Sequence, residues 1–181
     1  VAVQLPLGAE ADFLGIIDLV DMKANVYSDT KNKGETYDVE DIPAEYQEQA
    51  EEYREKLIES VSDVDDSIME KFLSGEDVTR EEIMDALRRG TLSNKFTPIL
   101  CGAAFKNKGV QQLLNAVVDF LPSPQELKAI TGTNPNTLKE ETRKLDAEEP
   151  LSALAFKIMT EPFVGQLAFV RIYSGKLVSG S

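Results

Sequence analysis

Apolar and polar residues alternate at the start of the chain, with Val1, Val3 and Leu5 in every second position, the period of a strand with one buried side. Pro6 and Gly8 close that run, so a strand is expected over 1–7. A second is expected over 13–20, where Gly15 marks a bulge or a close backbone approach. Weaker strand patterns at 24–27 and 35–39 are separated by the turn-rich stretch SDTKNKG. Together the four predict a small, mostly antiparallel sheet.

Past Pro43 the apolar spacing changes to four and three. Tyr46, Ala50, Tyr53, Leu57 and Val61 form the buried stripe of an amphipathic helix, with Pro43 suited to its first turn and Glu45 to the positive end of its dipole. Glu45, Glu48, Glu52, Glu55 and Glu59 keep the same spacing, and at about 100° per residue they form a second stripe nearly opposite the first. The stretch 62–66 breaks this helix. Asp66 or Ser67 is expected to cap a shorter one carrying Ile68, Met69, Phe72 and Leu73 and stopped at Gly75. Thr79 and Glu82 have the spacing of a capping box, opening a third helix that buries Ile83, Met84 and Leu87 and ends at Gly90.

The stretch FTPILCGAAFKNKGVQQLLNAVVDFLPSP, residues 96–124, reads as strand, small-residue loop and helix. Its opening run is long enough for a buried strand and too short for a helix. At Gly102, Ala103 and Ala104 the side chains shrink, which lets main-chain amides approach a ligand. Beyond Gly109, Val110, Leu113, Leu114, Val117, Val118 and Leu121 recur as one helical face expected to pack on a sheet, until Pro122 and Pro124 end the helix. In open α/β sheets, ligands lie beyond the carboxyl ends of the strands, so the loop 102–108 is expected to face a ligand position. Lys106 and Lys108 make it locally positive. The stretch 123–149 is rich in turn residues and charges and reads as a linker, followed by two strands over 152–158 and 166–173 joined through Pro162 and Gly165.

Charge sharpens this picture. The formal net charge is −13, and 17 acidic against 6 basic residues between positions 40 and 90 supply most of it. Such a balance disfavours a broad grip on nucleic-acid phosphates and suits a basic partner. Five glutamates in line repel one another, and only Lys56 is placed to relieve them; on the residues alone the stripe reads as a solvated face that keeps the chain soluble, with contact to a basic partner as the alternative. Asp12, Asp18 and Asp21 lie along strands whose alternation sends some to opposite faces, while 63–66 lacks the spacing of a calcium loop, so no metal is expected. The single cysteine, Cys101, sits in an apolar run as a small hydrophobe, which fits a reducing compartment. With no signal peptide and no apolar run of about 18 residues, the chain reads as cytoplasmic and free of membrane contact. It also reads as a piece of something longer, because it opens in mid-pattern without methionine and stops in the hairpin-like SGKLVSGS.

The string GAAFKNKGVQQLL followed by VVDFLPSP resembles the end of the GTPase domain of the bacterial elongation factor G family, the ribosomal translocases, which reads GSAFKNKGVQ, a hydrophobic helix and YLPSP. The opening VAVQLPLGAEADFLGIIDLVDMKA is similar to the entry of that domain's insert, and LSALAFKIMTEPFVGQLAFVRIYSGKLVSGS to the start of the second domain. The resemblance implies an α/β chain: an α+β insert subdomain over 1–95, the last strand and helix of a P-loop GTPase domain over 96–122, a linker over 123–149, and the first strands of an incomplete β-barrel domain over 150–181. In the intact protein it implies GTP or GDP with Mg and GTP-driven movement of transfer RNA and messenger RNA through the ribosome.

By the same resemblance, Gly102, Ala103, Ala104 and Phe105 match the family's last guanine-nucleotide motif. The amide at Ala104 there reads the guanine carbonyl and rejects adenine, whose amino group would meet another donor. Ala103 stands where the family has Ser, removing a hydroxyl able to brace the loop. The stripe of Glu45, Glu48, Glu52, Glu55 and Glu59 corresponds to a helix facing the ribosomal stalk protein. Neither the phosphate loop GxxxxGK[ST] nor the base-reading NKxD segment occurs, and no DxxG phosphate-sensing segment is expected, so the chain alone is expected to be inactive, with no catalytic residue and no bound nucleotide. Other partners implied are the ribosome and the rest of the parent chain. Two rival readings stand beside this one, a free-standing acidic interaction module and a sister translational GTPase of the ribosome-protection or peptide-release type.

Overall fold

The computed structural model describes residues 1–28, 34–126, 129–134, 136–163 and 165–180, in two compact units, Val1–Leu121 and Pro122–Ser181. The first unit is built on a four-stranded antiparallel meander, β1 (Gln4–Leu7), β2 (Gly15–Asp18), β3 (Lys23–Val26) and β4 (Asp38–Glu40), in chain order. Its register runs Gln4 opposite Asp18, Gly15 opposite Val26 and Ala24 opposite Glu40. Gly15 is required there, because a Cβ on it would lie 2.1 Å from the Asn25 carbonyl oxygen of the neighbouring strand. The turn predicted at 28–34 lies largely outside the described residues.

Three helices follow: α1 (Ala44–Ser62), α2 (Asp66–Ser74) and α3 (Arg80–Leu92). Successive strand residues point to opposite faces, and Ile16 and Ile17 show the result. Ile17 joins Leu5, Leu7 and Leu19 against Leu57, Val61, Ile68, Ile83 and Leu87 of the helices. Ile16 joins Phe13 and Tyr27 in a second cluster that touches Cys101 and Ala103. Burying one such leucine or isoleucine stabilises by about 1.5–3 kcal/mol, so the sheet is held from both sides. Arg54 ties α1 to the sheet, donating from Nη1 to the Leu19 and Val20 carbonyls at 2.6 and 2.8 Å.

The caps account for the helix ends. Thr79 and Glu82 make the reciprocal capping box, and Gly75 ends α2 in the left-handed region at φ 73°. The N-cap of α2 is Asp65 rather than Asp66 or Ser67: its carboxylate accepts from the amides of Ser67 and Ile68 and also takes Nη2 of Arg89. These contacts hold the Asp65 carboxyl well below the usual carboxylate range, the Ser67 hydroxyl first and Arg89 next. Gly90 does not end α3, which runs on through it to Leu92.

The strand expected at 96–101 is not a ladder strand. The segment is extended but pairs parallel only at Ala2 and Ile99, with Ile99 N–H donating to the Val1 carbonyl at 2.8 Å and Val3 N–H to the Ile99 carbonyl at 3.1 Å. A strand needs sustained neighbours to form a ladder, and among the described residues this one has Val1–Val3 alone. Helix α4 (Val110–Phe120) then packs on the unit by an unexpected side. Gln112 and Phe120 are buried and Ala116 is partly so, whereas Leu113, Leu114, Val117, Val118 and Leu121 are exposed. The apolar face expected to lie on a sheet is therefore bare in this unit, since 96–101 brings no open sheet beneath it. Arg88 of α3 caps the far end of α4, donating to the Asp119 carbonyl at 2.5 Å.

The second unit holds two antiparallel hairpins, β5 (Ile130–Thr133) with β6 (Glu140–Arg143) and β7 (Ser152–Glu161) with β8 (Gly165–Ser174). The stretch read as a linker thus contains the first of them. Its turn is organised by Asn134, whose side-chain oxygen accepts from the amides of Asn136 and Thr137, while its own amide donates to the Lys139 carbonyl at 2.9 Å. The β7–β8 ribbon carries a register shift between Ala155 and Lys157 and leaves Phe156 and Ile158 exposed. The architecture is therefore mixed α and β with small antiparallel sheets. Among the described residues no helix is long and apolar enough to cross a membrane.

Candidate functional site

The loop between the extended segment and α4 is a closed lariat. Ala103 N–H donates to the Lys108 carbonyl at 2.8 Å and Lys108 N–H returns to the Ala103 carbonyl at 3.2 Å. Between them, residues Ala104–Lys106 form one turn of 3₁₀-helix, with Lys106 N–H on the Ala103 carbonyl and Asn107 N–H on the Ala104 carbonyl. Glycines let the two ends touch: a Cβ on Gly102 would meet the Lys108 carbonyl oxygen at 2.8 Å, and one on Gly109 the Cys101 carbonyl oxygen, also at 2.8 Å. Gly109 further needs its φ of 85°, strained for any residue with a side chain.

This closure consumes the amides of Ala103, Lys106, Asn107 and Lys108. Those of Ala104 and Phe105 have no partner among the described residues, and the Phe105 side chain is fully exposed. Beside them lies a shallow hollow of about 170 Å³, lined by Leu100, Cys101, Gly102, Ala104, Gly109 and Leu113 among others. Its walls are largely apolar, with Lys108 also in the lining, and they lie beside a backbone donor, which suits a flat ring with a carbonyl acceptor. Burial pushes the Cys101 thiol up to about 11, consistent with a packing residue.

The two lysines of the loop part company. Lys106 is exposed, but Lys108 is almost completely buried and its Nζ donates to the Phe13 carbonyl at 2.9 Å, so it adds no positive surface. Gly102, Ala103, Ala104 and Phe105 are brought together in one loop. Tyr27, which follows β3, and Gln111, in the first turn of α4, support that loop and carry no sequence signal: Gly109 donates to Tyr27 across 82 positions at 3.0 Å, and Gln111 donates to the Gly34 and Glu35 carbonyls.

The string Asp12-Phe13-Leu14-Gly15 has the DxxG spacing of a phosphate-sensing GTPase segment. Here it leads straight into β2, Phe13 is buried, and Gly15 abuts the Asn25 carbonyl, so it is sheet rather than phosphate loop. Asp18 Oδ1 accepts from the Val20 and Asp21 amides, and Asp21 pairs with Arg80 at 2.9 Å. Both carboxylates are thus engaged by the protein itself.

The acidic stripe lies elsewhere. Glu45, Glu48, Glu52, Glu55 and Glu59 are all exposed along α1, and among them Glu52 alone has an ion-pair partner among the described residues, Lys56 at 2.5 Å. Lys56 also lies 4.8 Å from the centre of the Tyr53 ring. The stripe and the loop are separate surfaces of the first unit.

No protein-family model matches the chain. Among solved structures it is similar to the protein designated ttk003000868 from Thermus thermophilus, known from a crystal structure, with a TM-score of 0.70 and 27% identity. That alignment takes in 99% of this chain and spans 24% of the solved one.

Proposed function

We propose that the chain is a segment of an elongation factor G-like translational GTPase, in which the loop at Gly102–Phe105 forms one wall of a guanine pocket. The observation that carries this reading is the unpartnered Ala104 amide beside a largely apolar hollow, in a loop where the amides of Ala103, Lys106, Asn107 and Lys108 are already bonded. A backbone donor at that place donates to the guanine carbonyl oxygen and disfavours the amino group of adenine. The string GAAFKNKGVQ and the flanking resemblances support it, in the family's order along the chain.

In this reading the bare face of α4 is covered by the remainder of the GTPase domain, and β7–β8 begins a barrel completed by further strands. The exposed glutamates of α1 meet the ribosomal stalk protein. Their charge gains little from each rim contact but steers encounter with a basic surface. The intact protein would bind GTP or GDP with Mg, which supplies charge stabilisation to phosphoryl transfer. This chain would contribute base recognition and docking, in the cytoplasm, to movement of transfer RNA and messenger RNA through the ribosome.

Three measurements test the proposal. The coding frame upstream of Val1 should contain GxxxxGK[ST], and a start codon immediately before Val1 would sink the reading. Titration with the stalk protein should show binding that is lost on charge reversal at Glu48, Glu52, Glu55 and Glu59. The chain by itself should bind GTP no better than background.

A further inference from the structure

The lariat that presents the Ala104 amide is bolted to the four-stranded sheet by residues distant in sequence. Lys108, the largest fully buried side chain, reaches through the unit to the Phe13 carbonyl at 2.9 Å. Gly109 N–H donates to the Tyr27 hydroxyl at 3.0 Å, and that hydroxyl donates onward to Gln112 Oε1 at 2.7 Å. Gln111 Nε2 donates to the carbonyls of Gly34 and Glu35 at 3.1 and 3.0 Å. Gly34 in turn lies so close to the loop that a Cβ on it would fall 2.3 Å from the Lys106 carbonyl oxygen.

Packing alone does not call for a lysine here. An ammonium loses its hydration on burial, and a methionine would fill a similar space without that loss. Nor does packing call for the tyrosine hydroxyl, which accepts from the amide of Gly109, the N-cap residue of α4, which has no side chain of its own to cap the helix. What the two groups share is position. They clamp the closing end of the lariat, Lys108 and Gly109, on either side of one peptide bond.

We infer that Lys108 and Tyr27 are positioning residues for the loop 102–107: they fix the direction of the Ala104 amide and make it depend on the segments that hold Phe13 and Tyr27, which lead into β2 and out of β3. The purpose of this control rests on the guanine reading given above, but the control itself does not. Any load that shifts β2 or β3 moves the recognition amide with it.

The test is amide NMR on the whole 181-residue chain, comparing wild type with Tyr27→Phe, Lys108→Met and Lys108→Arg. Tyr27→Phe removes one oxygen and should speed exchange of the Gly109 amide roughly tenfold, the loss of one hydrogen bond. It should also shift the Ala104 and Phe105 amide resonances, while those of α1 and α3 stay in place. Lys108→Met should move the same loop resonances, and Lys108→Arg, which restores a donor, should bring them back toward wild type. Unmoved Ala104 and Phe105 resonances in folded Tyr27→Phe overturn the inference, even if Lys108→Met fails to fold. A missing upstream phosphate loop would defeat the guanine reading and leave this result standing; unmoved resonances would defeat the positioning role even where nucleotide binds.

Discussion

The ring of Phe96 fills the space that a side chain at Gly90 would need, its Cζ 2.0 Å from where that Cβ would stand. Gly90 is buried inside α3, so the helix carries a residue of poor helical propensity in exchange for close contact with the segment that leads to the loop. Replacing glycine by alanine within a helix normally stabilises by up to about 1 kcal/mol. Overpacking a buried contact costs about 1–3 kcal/mol, and it should win here. Gly90→Ala is expected to lower the thermal midpoint of the first unit by several degrees, and circular dichroism melting checks it. Pairing it with Phe96→Leu, which vacates part of the space, should recover some of the loss.

Asp18 gives a pH dependence of unusual sign. Burial raises its carboxyl above the ordinary range, outweighing the two backbone amides it accepts and the attraction of Arg80. A group whose folded pKa is raised contributes its stability below the unfolded pKa and loses it as pH rises through the folded value. The ionised form is therefore a cost at neutral pH. Asp18→Asn keeps an oxygen for the Val20 and Asp21 amides and should raise the urea midpoint at pH 7. The advantage should shrink as the solution is acidified through the carboxylate range, and an unchanged gap between pH 7 and pH 3 would count against this account.

Cys101 should be a slow nucleophile. With its thiol pushed up to about 11 by burial, the thiolate at pH 8 is scarce. Alkylation by iodoacetamide is expected to run roughly a hundredfold slower than for a free cysteine, whose pKa is near 8.5. The rate should climb steeply between pH 8 and pH 10, which mass spectrometry of the labelled chain can follow.

The exposed face of α4 makes the opposite kind of prediction, one of tolerance. Leu114 is 60% and Val118 76% exposed, so each should accept glutamate at a cost within about 0.5 kcal/mol to the isolated chain. The double variant should bind less of a hydrophobic dye such as ANS. A loss of several degrees in the melting midpoint would show that the face is covered in solution.

How much of this was legible depended on distance along the chain. The capping box at Thr79 and Glu82, the left-handed stop at Gly75 and both stripes of α1 are written within a few residues, and local rules were enough to read them. Gly90 was misread because the same absence of a side chain serves as a helix stop or as a packing notch, and only Phe96 decides which. The strand expected at 96–101 failed for want of partners, which no local pattern counts. For α4 the period was right and the burial was not: the weaker stripe of Gln112, Ala116 and Phe120 faces the core. The candidate loop was legible as small residues, yet the choice of which amides stay unbonded follows from Lys108 and Gly109 closing back on the loop, and Tyr27 lies 82 positions from the amide it accepts.

Among the described residues, β7 and β8 pair with each other and with no third strand. Both outer margins of that ribbon thus hold amides and carbonyls in line, beside exposed Phe156, Ile158 and Phe169. A margin of this kind is a template, and each molecule that aligns along it presents a fresh margin in turn. Growth begun there has no built-in stop, so concentration, more than heat, sets how long such a ribbon stays solitary.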